Sequence, residues 1–208
     1  CPLISLALLP PELEDADLET QVDYRTRTGR PVPMAQMRIV DDNMNEVPRD
    51  GKTQGELVLR APWLTQGYLK DEDNSKKLWH GGWMHTGDIG VIDADGWLKI
   101  TDRIKDVIKT GGEWISSLDL EGLILQHDGV AECAVVGVED QKWGERPVAL
   151  VVKGGEVDED AIKELVSQYA DKGVISRYGI PDRVVFVDEL PRTSVGKLDK
   201  KKMRAEMV

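Results

Sequence analysis

Apolar and polar positions change their rhythm along this chain. Residues 1 to about 35 set short apolar runs against prolines and acidic side chains without a clear period, and read as an irregular lead-in. From residue 36 the rhythm becomes that of short strands. Met37-Arg38-Ile39-Val40 is followed by a polar stretch and then by Glu56-Leu57-Val58-Leu59-Arg60, whose alternation suits a half-buried strand. Residues 89–92 and 97–100 flank Asp93-Ala94-Asp95-Gly96, where Asp-Gly supplies the positive φ that a tight hairpin turn needs. Residues 36–101 are therefore predicted to form a small antiparallel sheet or barrel.

After Asp102-Arg103 helical periods appear. Ser116 and Ser117, with Asp119 and Glu121 behind them, can cap a helix running through Gly122-Leu123-Ile124-Leu125. Strand-like runs follow at 131–138 and 147–152. Ile162, Leu165, Val166 and Tyr169 then share one face of a helix over about 158–172. Residues 184–187 read as a strand, and a basic helical segment closes the chain after Lys197. Strands interleaved with helices predict a compact α/β or α+β domain of about 100 residues. There is no internal repeat and no low-complexity tract.

Composition narrows the function classes. The 208 residues are 40% hydrophobic and 31% charged, enough for one or two domains with a real core. A net charge of −11 argues against general nucleic-acid binding, which needs a basic footprint. Cys1 and Cys133 form no CxxC pair and point to a reducing, cytoplasmic setting. His80, His85 and His127 are too scattered to suggest a metal centre. The opening apolar run is too short to span a bilayer and is no signal peptide, and the first residue is Cys1 rather than Met, so a piece of a longer protein is expected.

Familiar phosphate and calcium patterns fail. Val195-Gly196-Lys197 is followed by Leu198, not Ser or Thr, and no glycine stands five residues before Gly196; no GxGxxG follows a strand. Asp41-Asp42-Asn43-Met44-Asn45 begins like a calcium loop, but Glu46 replaces its glycine and Lys52 its bidentate glutamate, leaving a polar hairpin turn.

Four segments carry chemistry together: GELVLRAPWLTQGYLK (55–70), WMHTGDIG (83–90), ITDRIKDVIKTGGEWISSLDLE (100–121) and PRTSVGKLDKKKMR (191–204). In order, wording and spacing they resemble the adenylate-forming superfamily: acyl-CoA synthetases, luciferase-like enzymes and peptide-synthetase adenylation domains. The likeness covers nearly the whole chain and is closest to bacterial medium- or long-chain fatty-acid CoA ligases. It implies an α+β fragment: residues 1–104 as the β-rich end of a large nucleotide-binding domain, and 105–208 as a mobile C-terminal lid.

Residue chemistry and resemblance can be set side by side. Asp88, in a glycine-flanked loop, reads alone as a turn aspartate; the resemblance implies that its two acceptor oxygens hold the ribose diol of ATP or AMP. Arg103, with its fixed fork of donors, is implied to contact the nucleotide, and Lys105 to be the hinge between domains. Gly111 and Gly112 would serve a plain strand-to-helix turn; the resemblance places them, with Lys109, beside the pantetheine thiol of CoA, and Trp114 reads as packing. Lys197 alone among the terminal basic residues follows a loop glycine, the others lying on the helix. The resemblance makes it the lysine that bridges substrate carboxylate and α-phosphate, where an ammonium stabilises charge gathering on non-bridging oxygens.

The pattern is incomplete. The family's phosphate loop, most of its acyl pocket and the glutamate that helps hold Mg²⁺ are not in this chain, and Ala61 stands where many relatives have Gly. The expected parent activates a fatty acid with ATP and Mg²⁺ to acyl-AMP and passes the acyl group to CoA, while this piece alone is inactive. Its partners are small molecules. Nucleic acid and transmembrane segments are not expected, whereas an oligomeric parent and a peripheral membrane contact are compatible with the sequence. Transfer to a carrier protein, or a non-catalytic interaction module, are the alternatives.

Overall fold

The computed structural model describes residues 3–206. The chain divides into two compact units, Cys1–Ile104 and Lys105–Val208. Cys1 itself lies outside the described residues.

In the first unit a two-stranded antiparallel ladder, β1 (Ser5–Leu6) with β2 (Arg30–Pro31), brackets helix α1 (Leu18–Thr26). The main sheet has four strands in the order β3 (Gln36–Val40), β4 (Gly55–Arg60), β5 (Met84–Ile92) and β6 (Leu98–Arg103), each antiparallel to its neighbour. Helix α2 (Glu72–Leu78) lies between β4 and β5 in the chain. Alternation in β3 and β4 works as the sequence predicts: Met37, Ile39, Leu57 and Leu59 enter one core with Leu64, Ile92 and Leu98, whereas Val40 and Val58 pack with Trp83 on the other side. The sheet is open. Its path ends at β3 and β6 rather than closing into a barrel.

Two expectations are corrected in this unit. The lead-in over residues 1–35 is not wholly irregular, because α1 forms there with the Asp17 side chain accepting from the Thr20 N–H. No residue of α1 is buried, so it carries no apolar period that would reveal it. Asp88 sits within strand β5 rather than in a loop before it. That strand is irregular: its register shifts against β4 between Glu56 and Val58 and against β6 between Ile89 and Gly90. A bulged strand carrying glycines at 87 and 90 looks like a loop in sequence.

The second unit is built on a long antiparallel hairpin, β9 (Val130–Asp140) with β10 (Gly144–Lys153). Strand β11 (Arg183–Phe186) adds to β10 in parallel, and the small hairpin β7 (Ile108–Thr110) with β8 (Glu113–Ile115) joins at Gly144. Helices α3 (Ser117–Ile124), α4 (Glu159–Asp171) and α5 (Lys200–Glu206) complete it. Alternate residues of β9 and β10 sort to two covered faces. Val135, Ala149 and Val151 meet Leu120 and Ile124 of α3 and Ile162 and Val166 of α4; Ala134, Val136, Val148 and Leu150 meet Leu190 and Met203. Burial on both faces explains why these strands read as continuous apolar runs. Ile162 is fully buried, and truncating it to Ala would cost about 2–5 kcal/mol.

Ser116 caps α3, accepting from the Asp119 N–H, and Asp158 caps α4, accepting from the Ala161 N–H. Among the described residues no helix is long and apolar enough to cross a membrane, and no group of three or more His, Cys, Asp and Glu side chains is placed to hold a metal ion.

Candidate functional site

The candidate residues fall into two sets, one in each unit. In the first unit Asp88 and Arg103 face each other across β5 and β6 as directly opposed partners. Their approach is loose, with Arg103 Nε 3.8 Å from Asp88 Oδ1 and the arginine side chain 58% exposed. Such a pair is worth about 0–1 kcal/mol, so neither group is committed to the other. Burial raises the Asp88 carboxyl above its ordinary value; Arg103 opposes the rise and the nearby Glu56 charge adds to it. A half-buried carboxylate beside an arginine fork offers acceptors and donors on one patch, which suits a polyhydroxyl or phosphate ligand.

The segment before Asp88 is held from behind. Glu56, on β4, accepts the Gly87 N–H at 3.1 Å and contacts His85 Nδ1 at 2.8 Å. Thr86 donates its hydroxyl to the Leu57 carbonyl at 2.8 Å and accepts the Asp88 N–H at 3.0 Å. Gly87 has φ 72°, and its carbonyl accepts the Ile104 N–H at 2.8 Å. Glu56, His85 and Thr86 thus fix the backbone on which Asp88 rides. The sequence reading did not single them out, although Glu56 stands inside the quoted GELVLR segment. A cleft of about 450 Å³ opens beside this bulge, lined by Glu56, Tyr68, Lys77, His85, Thr86 and Gly87 among others. Asp88 and Arg103 are not in its wall, so the cleft and the charged pair are neighbouring features rather than one pocket.

In the second unit the expected lysines and glycines occupy turns. Gly111 and Gly112 form the tip of the β7–β8 hairpin with φ 59° and 83°, the pair of positive values that a two-residue primed turn requires. The two glycines differ. A Cβ on Gly111 would lie 2.9 Å from the Tyr178 ring, whereas one on Gly112 would meet nothing within 4 Å. Gly111 is therefore small because Tyr178 packs against it, and Gly112 because of its backbone alone. Lys109 donates its N–H to Glu145 Oε2 at 2.8 Å, and its ammonium sits 4.4 Å from the centre of the Trp114 ring. Trp114 thus packs against Lys109. Residues 109–114 were expected to be a loop; they are a strand–turn–strand, with strands of three residues too short to show a period.

Lys197 is exposed and ends a tight turn. The Thr193 N–H donates to its carbonyl at 2.7 Å, the Gly196 N–H donates to the Thr193 carbonyl at 2.9 Å, and Arg192 bridges to Leu198. Its ammonium makes no ion pair with a described residue. The following helix starts at Lys200, in line with the expectation that Lys197 precedes it. Lys200, on that helix, is not solvated: its ammonium lies 2.7 Å from Glu121 Oε1, with both side chains 10% exposed. At the start of the unit Lys105 is exposed, and its carbonyl accepts from Arg204 at 2.9 Å; Arg204 also pairs with the largely buried Asp106 at 2.9 Å. The Asp106 charge is therefore part of an anchor.

Comparison with known proteins gives the family. Residues 4–69 match the AMP-binding enzyme family model, and residues 119–197 match the model for the AMP-binding enzyme C-terminal domain. The chain is 39% identical over 206 residues to a long-chain-fatty-acid–CoA ligase of Thermus thermophilus, covering 99% of this chain and 38% of that protein. It is 42% identical over 189 residues to a 3-methylmercaptopropionyl-CoA ligase of Ruegeria lacuscaerulensis, covering 91% of this chain and 34% of that one. The solved structure of the amide bond synthetase McbA from Marinactinospora thermotolerans superposes with a TM-score of 0.76 at 34% identity, over 89% of this chain and 37% of that chain. The chain thus spans little more than a third of the length of the proteins it matches. With both family models matched in order, one in each unit, the chain belongs to the adenylate-forming superfamily of AMP-binding enzymes.

Proposed function

We propose that this chain is the C-terminal part of an AMP-forming acyl-CoA ligase acting on a medium- or long-chain fatty acid. In the first half-reaction a carboxylate oxygen attacks the α-phosphorus of ATP and pyrophosphate leaves. In the second, the CoA thiolate attacks the acyl carbonyl and AMP leaves. Asp88 accepts from the ribose hydroxyls, and Arg103 donates to the nucleotide from the opposed strand. Lys197 meets the charge that builds on the α-phosphate oxygens. Gly112, open on its Cβ side, lets backbone approach the pantetheine arm, with Gly111 and Lys109 beside it. The second unit acts as a lid turning about Lys105, a single position absorbing the change in backbone angles.

The observation that carries this reading is the placement of Lys197, exposed and without an ion pair to a described residue, on a hydrogen-bonded turn directly after Gly196 and ahead of α5. The fatty-acid reading is supported by the likeness to the Thermus long-chain-fatty-acid–CoA ligase, and the likeness to the Ruegeria 3-methylmercaptopropionyl-CoA ligase puts short acids in the test panel beside long ones.

A second reading follows from the likeness to an amide bond synthetase: the same acyl-adenylate is passed to an amine or a carrier protein rather than to CoA. The test is product formation by the whole protein from ATP, Mg²⁺ and a panel of short to long fatty acids, with CoA, an amine or a carrier protein as acceptor. Acyl-CoA from medium or long acids is the expected result. Adenylate formation without acyl-CoA from any acid would replace the ligase with the second reading.

A further inference from the structure

We propose that the buried Lys200–Glu121–Ser117 cluster is a positioning device for Lys197, which makes Lys200 and Glu121 positioning residues for adenylation; this inference rests on the role proposed above for Lys197. Lys200 is the first residue of α5, three positions after Lys197. Its ammonium donates to Ser117 Oγ at 2.7 Å and pairs with Glu121 Oε1 at 2.7 Å. Glu121 is itself pinned, because Oε1 also accepts the Val135 N–H of β9 at 2.8 Å. The cluster therefore ties the first turn of α5 to the first two turns of α3, through Ser117 and Glu121, and to the central hairpin at once.

The turn bearing Lys197 stands directly on that tie. The Asp199 N–H donates to the Pro191 carbonyl at 2.8 Å, which closes the loop at its root, one residue before Lys200. The other ionic link of this loop is Arg192 to Glu132 at 2.6 Å, with side chains 49% and 47% exposed. A pair so wetted fixes little. Met203 holds α5 by burial, which is not directional, and Arg204, one turn on from Lys200, fixes the far part of the helix through Asp106 and the Lys105 carbonyl. The two charge-assisted hydrogen bonds of Lys200 fix the near end, at the root of the turn, and so aim it. Replacing a buried ion pair by apolar residues is often neutral or favourable for stability, so stability alone gives no reason for a lysine here. Orientation does.

The test separates the two half-reactions in the whole protein, using ATP–pyrophosphate exchange for adenylation and acyl-CoA formation from pre-made acyl-AMP for thioesterification. Glu121→Gln keeps the shape and the acceptor for Val135 while removing the charge. We expect adenylation kcat to fall by about 10- to 100-fold with KM for ATP and acid unchanged, and thioesterification to stay within about threefold. Lys200→Met, read by hydrogen exchange, should speed exchange at the Thr193 and Gly196 amides while Leu150 and Val151 remain protected. Lys197→Ala is the control. If that variant keeps full adenylation, the role of Lys197 is wrong. If it loses adenylation while Glu121→Gln matches wild type in both half-reactions, or loses both equally, positioning by this cluster is overturned and the role of Lys197 stands. Unchanged exchange at Thr193 and Gly196 in Lys200→Met overturns it as well.

Discussion

The candidate residues of the two units are held in opposite ways. Asp88 and Arg103 ride on neighbouring strands, half-buried and exposed respectively, and lean loosely on each other at 3.8 Å. Lys197 and Gly112 sit on turn tips with open space around them, and the rigid parts lie beneath: the Lys200–Glu121 pair under one, the Tyr178 ring against Gly111 under the other. The first arrangement suits a group that stays with its ligand throughout. The second suits groups that are presented and withdrawn, because a tip can enter and leave a site without disturbing its own anchor. Buried anchors in the second unit and wetted contacts in the first should therefore respond differently to substitution.

The largest expected stability effect is at the anchor of α5. Lys200→Met leaves Glu121 buried without its cation and should cost about 3–5 kcal/mol of second-unit stability in urea unfolding. By contrast Arg192→Ala, at the exposed pair with Glu132, should cost about 0–1 kcal/mol. Equal costs would erase the distinction between the two links. Next comes the hairpin tip. Gly111→Ala must displace the Tyr178 ring as well as adopt positive φ and should cost about 2–3 kcal/mol, whereas Gly112→Ala carries the backbone strain alone, about 1 kcal/mol. If Gly112→Ala nevertheless slows thioester formation more than Gly111→Ala, Gly112 is the one that approaches ligand.

Smaller effects concern titration. The folded Asp88 carboxyl lies above its ordinary value of 3.8, so its protonated form is the one favoured by folding. That contribution is present below the ordinary value and is lost as pH rises through the raised folded value. Asp88→Asn should therefore flatten this acid-side decline in stability while abolishing tight nucleotide binding; a steeper decline would contradict the sign. Cys133 is pushed up to about 12, chiefly by burial and then by the Glu121 charge, with Lys200 opposing. Its thiol should resist alkylation at pH 8 until the second unit unfolds, as peptide mapping after a labelling pulse would report.

How far the sequence reveals this molecule depends on where each residue finds its partners. Strands β3 and β4 and helix α4 were legible because their apolar positions repeat with the period of the element and face a core. Helices α1 and α2 were not, because neither buries a residue and both rest on polar caps at Asp17 and Asp71. The β7–β8 hairpin was hidden by strands of three residues. Lys197 could be separated from the other terminal lysines because its glycine marks a turn. Lys200 could not, since its hydroxyl partner Ser117 lies 83 residues away and a basic helix face looks solvated from sequence alone. Glu56 was passed over for the same reason, as its contacts to His85 and Gly87 arise from strand pairing.

In the function proposed above one unit serves two half-reactions, with Lys197 needed for the first alone. The most direct measurement is the rate of acyl-CoA formation by Lys197→Ala in the whole protein, started once from free acid with ATP and once from pre-made acyl-AMP. The account predicts a loss of about 10²- to 10³-fold from free acid and an unchanged rate from acyl-AMP. Equal rates for variant and wild type from free acid, or equal losses from both starting points, would contradict it.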